Sequence, residues 1–198
     1  VYIVEIYVPS EISTVNLESR GAQPRGYYKV FIDAGHGGTD PGALGYGYRE
    51  SDLNLQVAKK VESKLKSKGI DVKMSRSSDI FYSLSERAEM ANDYGADAFV
   101  SIHQNSAEAK SANGIETYYN RKKEEDRPLS NDIQKQVISQ TGANNRGVKN
   151  AEFTVLVKSE MISALVECGF ITNESEVKKL SDPSYQDKLA TGIADGIE

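Results

Sequence analysis

The spacing of apolar residues changes along this chain, and each change marks an element. Residues 1–8, VYIVEIYV, are β-branched and aromatic and predict a strand; residues 9–27, with ESRGAQPRG, predict a loop or linker. The run YKVFIDA from Tyr28 is short, apolar and closed by glycines, as in a buried strand. Beyond Glu50, Leu53, Val57, Val61 and Leu65 recur every fourth residue with Ala58 beside them. This predicts a helix capped by Ser51 or Asp52 and stopped at Gly69. IDVKMSR predicts the next strand, and Leu84, Ala88, Ala91 and Tyr94 share one face of a helix over 83–94. ADAFVSIH predicts a strand ending at His103, and GIETYYN another over 114–120. RKKEEDR opens a loop or helix, which Leu129, Ile133, Val137 and Gln140 continue as a helix. FTVLV and ISALVE predict two more strands, and Tyr185, Leu189, Ile193 and Ile197 a closing helix over 184–197. Strands alternating with helices indicate an α/β sheet covered on both faces.

Composition narrows the function classes. The 198 residues suit one domain plus a short appendage, and 38% apolar residues suffice for a sizeable core. With 24 Lys+Arg against 29 Asp+Glu the chain lacks the basic balance of a nucleic-acid binder. No apolar run is long enough to span a bilayer. The single cysteine, Cys168, excludes an intrachain disulfide and a Cys-based zinc finger. Residue 1 is Val, so the chain is expected to be processed or cut from a longer protein, and the missing signal peptide says nothing about export.

Against this background three polar residues fall at matching places. His36, His103 and Glu167 each follow an apolar strand, at the sheet edge where open α/β folds bind ligands. Glu50 begins the helix after the glycine-rich turn and reaches the same crevice if that turn folds back. Two imidazoles and one carboxylate make a three-ligand zinc set with a fourth position left for water. Glu167 would then stay free to carry a proton. Taken one at a time, each residue has a plainer reading: a surface histidine, a strand-end histidine, a helix-start carboxylate, and a carboxylate paired with Arg76 or Arg87. There is no HExxH, so the residues alone reach only a candidate mononuclear metal site. The glycine-rich stretch lacks a phosphate-binding signature. Tyr46, Tyr48, Tyr118 and Tyr119 fit either sugar stacking or packing on a half-buried sheet. Cys168 reads as a buried, inert thiol.

Several blocks in order, IDAGHGGTDPGALG, RESDLNLQVAKKV, SRSSD, LSERAEMAN, FVSIHQNSA, GIETYY and ALVECGFITNESE, closely resemble the zinc-dependent N-acetylmuramoyl-L-alanine amidases of the Amidase_3 family. The resemblance runs from about Lys29 to the end. It implies a twisted, mostly parallel mixed sheet with helices on both faces. It makes residues 28–198 a zinc amidase domain and 1–27 an N-terminal extension. It implies one Zn2+ held by His36, Glu50 and His103, with Glu167 as the catalytic carboxylate. The implied reaction is hydrolysis of the amide between N-acetylmuramic acid and L-alanine of the stem peptide. Asn105, two residues past His103, is a candidate for orienting substrate, with a structural turn role as the alternative. The implied partner is peptidoglycan, and the implied setting is the bacterial cell wall outside the cell, with the chain acting as a monomer. Two departures stand out. Only a short stretch separates HQNSAEAKSAN from GIETYY, where some cell-division members carry a helix that plugs the metal site, so an open site is expected. Ile162 stands in a region where the family often has proline. Rival readings are a zinc peptidase cutting within the stem peptide and a non-catalytic wall-binding module.

Overall fold

The computed structural model describes residues 28–198; the strand and linker expected over 1–27 lie outside the described residues. A six-stranded sheet is built from β1 (Lys29–Ala34), β4 (Asp71–Met74), β5 (Ala98–Asn105), β6 (Ile115–Asn120), β7 (Asn145–Ala151) and β8 (Ile162–Phe170). Its order is β4-β1-β5-β8-β6-β7, parallel at every step except β8 against β6. A small hairpin, β2 (Leu44–Gly45) and β3 (Tyr48–Arg49), leads into α1 (Glu50–Ser67). The other helices are α2 (Leu84–Tyr94), α3 (Arg127–Thr141), α4 (Thr154–Lys158), α5 (Glu174–Leu180) and α6 (Pro183–Ile197).

Strand alternation assigns the two faces. Val30, Ile32 and Ala34 point to one side, where they join Leu53, Val57, Val61, Ile133, Val137, Leu189 and Ile193 in the larger core under α1, α3, α5 and α6. Phe31 and Phe99 point to the other, against Ala91 of α2 and Val155 and Leu156 of α4. Two helices of unequal length, α2 and α4, lie over that second face. Where α6 crosses α3, Gly196 lies so close to Ile133 that a Cβ would sit 2.4 Å from its Cα.

The mixed α/β sheet, the single domain and the helices on both faces agree with the sequence reading. Several details differ. FTVLV is not a strand: Thr154–Lys158 form α4. A five-residue apolar run carries too little periodicity to separate the two, and burial of Val155 and Leu156 with Phe153 and Val157 exposed settles it as helical. Ser51 and Asp52 do not cap α1; the helix starts at Glu50, Arg49 holds the N-cap position without a side-chain bond, and Glu50 and Asp52 lie in the first turn. Leu84 is 51% exposed at the head of α2, and Gln140 is exposed on α3. His103 and Glu167 lie within β5 and β8 rather than past their ends. Strand β7 carries too few apolar residues to be read as one, and α5 and the hairpin are too short. The connection 106–114 forms turns and bends without a helix.

Candidate metal centre

The turn after β1 brings His36 back over the sheet. His36 adopts a left-handed conformation, with φ of 61°, which costs a non-glycine residue about 1–2 kcal/mol. Two buried arginines hold it there. Arg87 donates to the carbonyls of Ala34 (2.7 Å), His36 (2.8 Å) and Tyr82 (2.9 Å) and pairs with Asp33 at 2.8 Å. Arg76 donates to the carbonyls of Ala34, Gly35 and Ser51. Burial opposes the Asp33 charge, but Arg87 and the Ser101 and Ser75 hydroxyls hold its pKa below the usual carboxylate range. Both arginines are therefore committed, and neither pairs with Glu167.

His36, Glu50 and His103 converge, each offering one ligand atom, all within 4.8 Å of one another. Glu50 Oε1 lies 3.2 Å from His36 Nε2 and 2.9 Å from His103 Nδ1. Its carboxylate is oriented from behind by the Gln104 amide N–H and the Asn54 side chain on Oε1 and by the Ala43 N–H on Oε2. The remaining nitrogen of His36, Nδ1, is 2.7 Å from Asp40 Oδ2, the carboxylate–histidine arrangement that fixes ring orientation in metal sites. Glycine is required where rings press on backbone: a Cβ on Gly35 would stand 2.4 Å from His103 Nε2, and one on Gly42 2.6 Å from His36 Cδ2. Burial opposes charge on His36, but its bonds to Glu50 and Asp40 raise its pKa to about 9. Burial likewise opposes charge on Glu50, but the two imidazoles drive its pKa far below the usual range. The donor set, two imidazoles and a carboxylate with a supporting outer shell, fits a borderline-soft divalent ion.

Glu167 stands beside this cluster because β5 and β8 pair His103 with Glu167 in register. It contrasts with Glu50. Its Oε2 is shielded from solvent with no hydrogen-bond partner, and among the described residues no cation pairs with it. Burial pushes its pKa up to about 7; attraction to His103 is opposed by repulsion from Glu50 and Glu116. A carboxyl poised near neutrality can both accept and return a proton. Asn105 turns away from the ligand cluster: its Nδ2 donates to Glu116 Oε1 at 2.8 Å and its Oδ1 accepts from the Ser106 N–H. A cleft of 520 Å3 opens beside the histidines, with Phe81, Leu84 and Thr154 in its walls. Cys168 is fully buried in the opposite core, its thiol pKa raised by burial, and takes no part. Of the tyrosines, Tyr119 is buried, Tyr46 and Tyr48 are exposed on the hairpin, and Tyr118 stands on the site face, its hydroxyl donating to Glu116.

Sequence reasoning missed Asp40, Asn54, Arg76 and Arg87 as parts of the site. Asp40 carried a signal, a carboxylate four residues after a histidine on a turn. The arginines carried none beyond Arg87 falling beside Ala88 and Ala91 on a helix.

An α/β sheet with a His–Glu–His cluster and an unpartnered carboxylate beside it on the central strands has the architecture of a metal-site hydrolase. Residues 30–198 match the N-acetylmuramoyl-L-alanine amidase family, Amidase_3, and the chain belongs to that family and is an amidase of that class. It is 46% identical over 182 residues to the uncharacterized protein YqiI of Bacillus subtilis, covering 91% of this chain and 88% of that one. It is 45% identical over 169 residues to the B. subtilis N-acetylmuramoyl-L-alanine amidase LytC, covering 84% of this chain but only 34% of LytC. The crystal structure of N-acetylmuramoyl-L-alanine amidase from Clostridium difficile 630 superposes with a TM-score of 0.84 at 43% identity, covering 86% of this chain and 95% of that one.

Proposed function

We propose that residues 28–198 form a zinc-dependent catalytic domain that cleaves the amide between N-acetylmuramic acid and L-alanine in bacterial peptidoglycan, outside the cell, as a monomer. The observation that carries this reading is the convergence of His36, Glu50 and His103 with Glu167 in register beside them. His36, Glu50 and His103 are the residues that would hold one Zn2+. Bound there, zinc supplies Lewis-acid polarisation of the scissile carbonyl and lowers the pKa of a water toward neutrality. Asp40 fixes the His36 ring, and Gln104, Asn54 and Ala43 fix the Glu50 carboxylate. The Glu167 carboxylate accepts the proton of the attacking water and returns it to the departing alanine nitrogen. Its lack of an ion-pair partner among the described residues supports this role, because a cation there would hold the carboxyl ionised. Asn105 acts as a positioning residue through Glu116 rather than by touching substrate. Among the described residues no helix is long and apolar enough to cross a membrane.

The test is digestion of purified cell walls with and without a chelator. Release of new alanine amino groups without new reducing sugar ends is expected, lost with chelator and restored by Zn2+. Glu167→Gln should keep the metal and lose turnover by about 100-fold or more. Cleavage inside the stem peptide would replace this reading with a peptidase, and wall binding without any release would replace it with a binding module.

A further inference from the structure

A second buried carboxylate stands next to Glu167. Strands β6 and β8 are antiparallel there, and Glu116 pairs with Glu167 in register. Side chains directly opposite on such strands have Cβ atoms about 5 Å apart. Glu116 is as heavily partnered as Glu167 is bare. Its Oε1 accepts from Asn105 Nδ2 and the Tyr118 hydroxyl, each at 2.8 Å. Its Oε2 accepts from Arg146 Nε at 2.7 Å and Lys149 Nζ at 2.5 Å.

One cation would neutralise Glu116, yet two are present. Among the described residues neither Arg146 nor Lys149 has another carboxylate partner, so the cluster keeps an excess positive charge. Both side chains stay accessible, at 33% and 39% exposure. Their meeting on one carboxylate depends on an irregularity. Residues three apart on a regular strand point to opposite faces. Between the pairs Ile115–Asn145 and Thr117–Val148, β7 carries one more residue than β6. This bulge, at Arg146 and Gly147, re-aims Arg146 to the face that holds Lys149. A ladder residue is given up to bring a second cation onto Glu116.

We propose that Arg146 and Lys149 form a subsite for a free carboxylate on the stem-peptide side of the substrate, with Glu116 holding both cations in place. This rests on the amidase reading. Glu167 must reach the leaving nitrogen, so the peptide departs on the Glu167 side of the cleft, toward β6 and β7. Strand β7 lies two strand spacings from β8, about 10 Å. Lys149 pairs with Tyr118, which pairs with Leu165, two residues before Glu167. An extended peptide advances about 3.5 Å per residue. The second or third stem residue therefore arrives at the cation pair, and stem peptides carry free carboxylates there.

The experiment measures Kd on the zinc-loaded Glu167→Gln protein for MurNAc-L-Ala-D-Glu and for the same compound with both carboxyls amidated. The acid should bind about tenfold more tightly at low salt, with the difference shrinking as salt rises. Lys149→Gln in that background should bring the ratio close to one, since Arg146 still neutralises Glu116, and Lys149→Arg should keep the preference. Arg146→Gln is the second variant should Lys149→Gln not fold. Equal affinities for acid and amide, or a preference that survives both Lys149→Gln and Arg146→Gln, would overturn the subsite. Alanine release by the wild-type protein is read separately: its absence with the tenfold preference intact sinks the amidase reaction and leaves the subsite standing.

Discussion

Arg87→Met tests whether the His36 turn is held by a buried charge rather than by its own glycines. Arg87 is 1% exposed and Asp33 fully buried. The substitution keeps most of the side chain's bulk but strips an ion pair and three donations to backbone carbonyls. It leaves the Asp33 carboxylate with only the Ser101 and Ser75 hydroxyls and no paired cation among the described residues. Removing one partner of a buried pair costs about 3–5 kcal/mol. The stranded carbonyls of His36 and Tyr82 carry the loss toward the top of that range, against a total stability of about 5–15 kcal/mol for a domain; the Ala34 carbonyl keeps Arg76. Urea denaturation of the metal-free protein should show this loss. Adding Asp33→Asn should recover about 1–3 kcal/mol, because the orphaned charge is then gone. The double variant should still bind zinc more weakly than wild type, because the His36 carbonyl has lost its anchor. A loss below about 1 kcal/mol, or no recovery in the double variant, would refute the idea that the pair is what secures the turn.

Asp40→Ala should lower zinc affinity by about 10–100-fold with the fold intact, measured by competition with a chromogenic chelator. Gly35→Ala places a methyl 2.4 Å from the His103 ring; metal content and wall hydrolysis should both fall while far-ultraviolet circular dichroism stays that of the wild type. Burial opposes the Glu116 charge, but Lys149, Arg146 and Tyr118 lower its pKa to about 2 from an ordinary 4.5. Its contribution to stability is therefore present above pH 4.5 and lost as pH falls through about 2. Glu116→Gln should flatten that part of the stability–pH curve, and an unchanged acid limb would count against the network.

The sequence by itself determined the class of fold and singled out the four residues proposed to carry the chemistry. Periodicity suffices for long amphipathic helices such as α1 and α6, because burial of one face at i+4 spacing is written into the residues themselves. His36, Glu50, His103 and Glu167 were legible because their blocks fall together in the family's order; taken singly, each has a plainer structural reading. Tertiary structure alone decided what surrounds them. FTVLV became helix because packing over β6 and β8, not propensity, chose its conformation. β7 was hidden because it is polar and bulged, and its pairing partner β6 is set by the sheet rather than by its own residues. Arg87 meets Asp33 across 54 residues, and Arg146 meets Glu116 across 30. Contacts of that span leave no local period to read. They form because a buried charge must find its partner in space, wherever along the chain that partner lies.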